Sequence, residues 1–69
     1  MKLEQARKSV LVRGKPMRQT ELAKKARVSI STIGNIESGH YSKQGKDVKD
    51  KTKLAIAKAL KMDVNEIDF

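Results

Sequence analysis

Uncharged hydrogen-bonding side chains are concentrated in one short stretch of this 69-residue chain. They alternate with branched apolar residues at helical spacing, and they are Ser29, Ser31, Thr32 and Asn35. Hydroxyl and amide groups can bond to the edges of nucleic-acid bases, and an asparagine amide can bond adenine at two points. A merely solvated helix face usually carries lysine and glutamate instead. We therefore interpret this stretch as a surface that reads bases.

Residues suited to catalysis or metal binding are scarce. The chain has one histidine, His40, and no cysteine, and its carboxylates form no pair on a common predicted face. Neither acid–base catalysis nor a zinc site is therefore indicated. The four glycines are scattered and form no phosphate-cradling loop. We expect no enzymatic activity, no metal and no cofactor.

The net charge of +8 is distributed unevenly. Residues 1–46 contain eleven Lys or Arg against three Asp or Glu, whereas residues 47–69 contain five of each. A one-sided excess of cations suits a polyanion such as the phosphate backbone of nucleic acid, although it could also be a charged surface without a partner. An RNA-binding or membrane-surface role ranks lowest, because stacking aromatics and a strongly amphipathic basic helix are lacking.

Apolar spacing predicts two short helices that meet at a sharp turn around the polar stretch. The first contains Leu22, and the second runs from about residue 30 to residue 38. Ser29 stands where an N-cap is needed, and Gly39 suits the positive φ that often follows a helix. Helices this short do not persist alone in water, so they must pack on neighbours.

The segment before this pair predicts a first helix from Lys2 to about Arg13. The Val10–Val12 run could instead begin a short strand, because two of its three residues are β-branched. Gly14 and Pro16 end the helix. Arg18 then occupies the N-cap position of the next helix, where it is a poor cap.

Two more helices are predicted after residue 46. One is capped by Asp47 or Asp50 and runs to about Lys61; the other starts at Val64, behind a capping box. Their expected inward residues are Leu54, Ile56, Ala57, Leu60 and Ile67. The predicted fold class is therefore all-α, a compact bundle of about five short helices that forms a single domain over residues 1–69.

A series of residues between positions 19 and 39 has a characteristic order. They are Gln19, Leu22, Ala23, Val28, Ser29, Thr32, Ile33, Ile36, Glu37 and Gly39. In order and spacing they resemble the helix-turn-helix of the lambda repressor/Cro type, also called the xenobiotic-response-element family, and the likeness extends more loosely to Asp63. The resemblance implies a lambda repressor-like DNA-binding domain, with the helix-turn-helix at residues 19–38 and the recognition helix, about 30–38, in the major groove.

The resemblance also implies roles for individual side chains. Contacts to base edges are expected from Ser29, Ile30, Ser31 and Asn35. Contacts to phosphates are expected from Gln19, Arg18, Arg27, Thr32, Tyr41, Ser42 and Lys43. Two alternatives stay open, because Ile30 could be a core residue and the segment from His40 onward could be a solvated loop.

The chain departs from the family pattern at three places. Arg27 stands where the family usually has glycine, and a non-glycine residue at positive φ costs about 1 kcal/mol. Val12 stands where an arginine often pairs with the residue matching Glu37, and Arg13 could replace that arginine. The connection from Gly39 to Thr52 is longer than usual and is expected to form a longer loop.

These features predict a cytoplasmic transcriptional regulator, most simply a repressor, of bacterial, phage or mobile-element origin. One recognition helix reads few base pairs, so a homodimer on a palindromic operator in double-stranded DNA is expected. Val64, Ile67 and Phe69 are candidates for the dimer face, unless they only close the core of the monomer. The alternative function is a protein-interaction module such as an antitoxin or adaptor. Neither a signal peptide nor a membrane span is visible.

Overall fold

The computed structural model describes residues 1–43 and 48–69. Within these ranges the elements are α1 (Leu3–Ser9), β1 (Leu11–Val12), β2 (Lys15–Pro16), α2 (Gln19–Ala26), α3 (Ile30–Glu37), α4 (His40–Lys43), α5 (Asp50–Ala59) and a 3-10 turn (Val64–Glu66). The chain is mostly helical, as predicted, but a purely all-α fold is not confirmed, because β1 and β2 form a small antiparallel sheet. The five predicted helices are not confirmed as a set either, since the last of them is only a 3-10 turn and the four-residue α4 was not predicted.

The first helix is shorter than predicted and gives way to a hairpin. α1 ends at Ser9 rather than near Arg13, and the β-branched run after it begins the strand β1. β1 pairs with β2 so that Val12 lies opposite Lys15. Arg13 and Gly14 form the turn with φ angles of 54° and 79°. Positive φ at both turn residues matches the natural twist of a two-residue hairpin.

α2 and α3 form the predicted pair of short helices. Arg27, between them, has the expected positive φ of 58°, and the amide of Val28 donates to the carbonyl of Ala23 at 3.0 Å. Ser29 caps α3 as predicted, because its Oγ accepts a hydrogen bond from the backbone N–H of Thr32 at 3.1 Å. After α3, Gly39 has a φ of 79°.

The core lies between the helices and is almost entirely aliphatic. Its buried apolar members among the described residues are Leu3, Ala6, Met17, Leu22, Ala23, Ala26, Ile33, Ile36, Val48, Ile56, Ala57, Leu60 and Ile67. Both α3 and α5 pack on α2. Burial of Ile67 confirms the prediction that it points inward.

Leu54 does not face the core as predicted. It is 58% exposed. The buried stripe of α5 runs through Ile56 and Ala57 to the C-cap residue Leu60, and Leu54 lies roughly a third of a turn from the centre of that stripe. The residue that caps α5 is Lys49, which makes no side-chain cap hydrogen bond. Asp50 is thus already inside the helix, while the other predicted cap, Asp47, lies outside the described residues.

The connection after α3 differs from the expected loop, since His40–Lys43 form α4 directly after Gly39. Residues 44–47 of this connection lie outside the described residues. Near the C-terminal end, Asp63 accepts a hydrogen bond from the backbone of Asn65 at 2.9 Å. No helix within residues 1–43 and 48–69 is long and apolar enough to cross a membrane.

Candidate nucleic-acid interface

A partly buried cluster of polar and charged side chains holds the C-terminal end of α3. We call Arg7, Gln19 and Glu37 the Glu37 cluster. Arg7 donates to both carboxylate oxygens of Glu37, from Nε at 2.8 Å and from Nη2 at 3.0 Å. Gln19 Nε2 donates to Oε1 of the same carboxylate at 3.1 Å. The cluster therefore joins α1, the first residue of α2 and the last residue of α3.

Arg7 makes the ion pair with Glu37 that the family resemblance led us to expect from an arginine at position 12. Val12 lies in β1 rather than in a helix, and Arg13 lies exposed in the hairpin turn, so the prediction that Arg13 pairs with Glu37 is wrong. Val12 packs half-buried against the core from its place in the hairpin, whereas Arg13 is held at the exposed tip. Arg7 is only 8% exposed, because it continues the inward face of α1 through Leu3 and Ala6. That helical spacing is the sequence signal that could have identified it.

Gln19 is half-buried against Glu37. A side-chain amide has two N–H donors, so one amide can bond to a carboxylate and to a phosphate at the same time. The contact with Glu37 fixes the direction of this side chain at the start of α2. It is therefore compatible with the phosphate contact that the resemblance implies.

The outward face of α3 is small, polar and nearly free of charge. Ser31 is exposed and Asn35, one helical turn later, is half-buried, whereas Ile33 and Ile36 are buried on the opposite side. Ile30 is 46% exposed, which rules out the alternative that it is a core residue. The exposed Ser29 extends this face at the N-terminal end of α3.

Gly34 is a feature of this face that sequence reasoning missed. It stands between Ser31 and Asn35 in the helix, with no positive φ. Apart from its chain neighbours and the backbone of its own helix, a Cβ atom added at this position would meet no atom within 4 Å. Packing within the chain therefore does not require a glycine here, and the surface beside Asn35 is open.

A model of a helix-turn-helix family matches residues 16–67. The chain belongs to the lambda repressor/Cro-type helix-turn-helix family. This family consists of sequence-specific DNA-binding regulators and is not a catalytic family. No curated protein matches the chain significantly, and no solved structure does. The family match begins at the end of the hairpin, so Arg7 lies outside it although it holds α3.

The predicted phosphate contacts of the helix-turn-helix lie at several places around α2 and α3. Arg18 and Arg27 are exposed at the two ends of α2, and Thr32 is half-buried, with its Oγ1 2.9 Å from Ser29 Oγ. Tyr41 is half-buried and packs against the core. The predictions for Ser42 and Lys43 concern side chains outside the described part of the chain.

Possible metal ligands do not cluster in the described part of the chain. No cluster of three or more His, Cys, Asp or Glu side chains that could hold an ion lies within residues 1–43 and 48–69. The most buried carboxylate described above, Glu37, is already bonded to Arg7 and Gln19. The Glu37 cluster thus has a positioning role toward α3.

Proposed function

We propose that the chain is a transcriptional regulator, most simply a repressor of bacterial, phage or mobile-element origin, that places α3 in the major groove of double-stranded DNA. The observation that carries this proposal is the contrast between the two sides of α3. Its outward face is uncharged and can form hydrogen bonds, while Ile33 and Ile36 hold the inward face in the core. Readout of bases needs such side chains on a helix whose position is fixed.

Base contacts are assigned to Ser29, Ile30, Ser31 and Asn35. The amide of Asn35 can make two hydrogen bonds to adenine, which would discriminate against other bases by about 1–3 kcal/mol. The exposed Ile30 can pack on a thymine methyl group. The two serines can donate to or accept from several bases, so they add less selectivity.

Phosphate contacts are assigned to residues that flank α3. They are Gln19, Arg18, Arg27, Thr32, Tyr41, Ser42 and Lys43. The excess of eight positive charges, which lies within residues 1–46, supports this assignment, because neutralisation of phosphates releases condensed counterions. The chain acts here by binding in the cytoplasm, without catalysis, as one unit over residues 1–69.

Two copies of the chain are proposed to bind a palindromic operator as a homodimer. One α3 can reach only a few base pairs, and a second copy about one helical turn away doubles the sequence that is read. Val64 and Phe69 are the remaining candidates for the dimer face, since both are half-buried. Ile67 is 5% exposed and closes the core of the monomer instead.

Selection from a random duplex library tests the proposal. The selected duplex and a scrambled duplex of the same composition are then titrated across salt concentrations. We expect a palindromic winner that is preferred about a thousandfold or more, with salt weakening binding to both duplexes. Weak binding without sequence preference would contradict the proposal and favour the protein-interaction module.

A further inference from the structure

The hairpin of β1 and β2 carries two cations that the contacts assigned above leave unused. Arg13 lies in its turn and Lys15 in its second strand, and both are exposed. The hairpin lies almost entirely ahead of the family match, which begins at residue 16. Its role therefore has to be argued from its own geometry.

The base of the hairpin is firmly attached to the rest of the molecule. The backbone N–H of Met17 donates to the carbonyl of Val10 at 2.9 Å, and Arg7 Nη1 donates to the carbonyl of Met17 at 2.6 Å. The side chain of Met17 is fully buried. The hairpin therefore has a defined position relative to α1 and to the start of α2.

The hairpin and the first turn of α2 border an open groove of about 480 Å³. Its charged lining residues are Arg13, Lys15, Arg18 and Glu21. The carboxylate of Glu21 accepts a hydrogen bond from the backbone N–H of Arg18 at 3.1 Å. Three cations thus face one carboxylate that is already hydrogen-bonded, and the groove attracts anions.

Turn geometry does not account for an arginine at position 13. Its φ of 54° lies in the left-handed region, and the first central position of such a hairpin favours asparagine, aspartate or glycine. A long cation at this position strains the turn, yet it extends the positive charge of the groove to the tip of the hairpin.

We infer that Arg13 and Lys15 bind the phosphate backbone of the duplex next to the bases read by α3, together with Arg18. This inference rests on the proposed function, in which Arg18 and Gln19 bring the start of α2 against the DNA backbone. The hairpin immediately precedes Arg18 and shares a groove with it. It therefore extends the contact to neighbouring phosphates outside the base pairs that α3 reads.

The test compares the wild-type chain with the double variant Arg13→Asn/Lys15→Gln. Asparagine followed by Gly14 is well suited to a turn of this kind, so the hairpin should still form. Lys51→Gln/Lys58→Gln is the matched control, because it removes two exposed cations from α5. Thermal unfolding establishes that all three proteins fold, and each is titrated with the selected and scrambled duplexes at several salt concentrations.

The hairpin variant should show a shallower dependence of log affinity on log salt, by about 0.9 for each phosphate that it no longer binds. If two phosphates are released in this way, the affinity deficit of the variant should shrink by about tenfold between 50 and 200 mM salt. Both duplexes should be affected alike, because phosphate contacts carry no direct sequence information. The control should keep the wild-type slope.

Two results would overturn the inference while the proposed function stood. One is a hairpin variant with the wild-type slope, and the other is an equal loss of affinity in the α5 control, which would mean that the hairpin acts only through net charge. A wild-type chain that does not prefer the selected duplex would instead refute the proposed function. Shortening the duplex next to the selected site provides a second check, since it should weaken wild-type binding and leave the hairpin variant unaffected.

Discussion

α3 and α5 both pack on α2, but their outward faces have little in common. α3 exposes Ser31 and the open surface around Gly34, whereas α5 exposes Lys51, Leu54 and Lys58. Both helices bury branched aliphatic side chains, so packing alone does not distinguish them. The difference lies in what the solvent side can bond to: α5 has a typical solvated face, and α3 has one suited to specific contacts.

The two helices also differ in how their ends are held. α3 begins at the Ser29 cap and ends at Glu37, which is bonded to two other helices. α5 begins after Lys49, which makes no side-chain cap hydrogen bond. The stricter positioning of α3 is what a helix needs if its place relative to a ligand determines its function.

The strongest test of this comparison is to disconnect α3 from α1. Arg7→Met should lower the free energy of unfolding by about 3–5 kcal/mol, because it leaves the buried carboxylate of Glu37 without its cation. Arg7→Met/Glu37→Leu should recover much of that stability, since an apolar pair of similar volume leaves no buried charge. Urea unfolding measures both. Equal destabilisation by the single and double variants would contradict this account.

The next test removes the proposed base contact of α3. Asn35→Ala should weaken binding to the selected duplex by about 1–3 kcal/mol and should change binding to a scrambled duplex little. Lys58→Ala on α5 is the control, because its side chain is exposed on the solvated helix face. Titration by fluorescence polarisation distinguishes them. Equal weakening of both duplexes by Asn35→Ala would remove this residue from base readout.

A third test removes the side-chain cap of α3 and gives one to α5. Ser29→Ala should destabilise the fold by about 1 kcal/mol, because it leaves the N–H of Thr32 without its side-chain acceptor. Lys49→Ser should stabilise it by a similar amount by giving α5 the cap that it lacks. Chemical denaturation measures both changes, and Ser31→Ala, which removes an exposed hydroxyl, should change stability by less than about 0.5 kcal/mol.

Gly34→Ala should separate stability from binding. Alanine in the middle of a helix is favoured over glycine by about 0.5–1 kcal/mol, and the added Cβ has open space. The variant should therefore unfold at a higher temperature. If DNA lies against this face, the same methyl group should weaken binding to the selected duplex. Ala55→Gly on α5 is the reciprocal control, which should lower stability without altering sequence preference.

The smallest effect is expected for the exposed ion pair between Glu4 and Lys8 on α1. It can be compared with the buried ion pair of Arg7 on the same helix. The pKa of Glu4 lies below the ordinary 4.5, chiefly because Lys8 donates a hydrogen bond to its carboxylate and also because of the charge of Lys8. A lowered pKa in the folded state stabilises the fold above the unfolded-state pKa, and this contribution disappears as the pH falls through the folded-state value. Glu4→Gln should therefore cost slightly at neutral pH and nothing in strong acid, as measured by urea unfolding.

Local signals in the sequence predicted the parts of the fold that depend on neighbouring residues. The Ser29 cap, the positive φ of Gly39 and the start of α3 at Ile30 are all of this kind. The positive φ of Arg27 was implied instead by the family resemblance, which has glycine at this position. The partner of Glu37 was not predicted correctly, because it lies 30 residues away and the hairpin changes the spacing between them. The assignments to bases and phosphates remain predictions, since they depend on a second molecule.

The paired base of the hairpin allows the tip to vary in length without moving α2. Because backbone pairing and the Val10–Met17 hydrogen bond join its two strands, residues added in pairs at the tip would leave the start of α2 in place. Lengthening a loop costs little entropy, about 0.6 kcal/mol for each doubling. This connection is therefore a place where insertions should be tolerated. In chains with insertions here, we expect the arginine that binds the last residue of α3 to lie on the buried face of the first helix. Its sequence distance from the glutamine that begins α2 should vary with the length of the insertion.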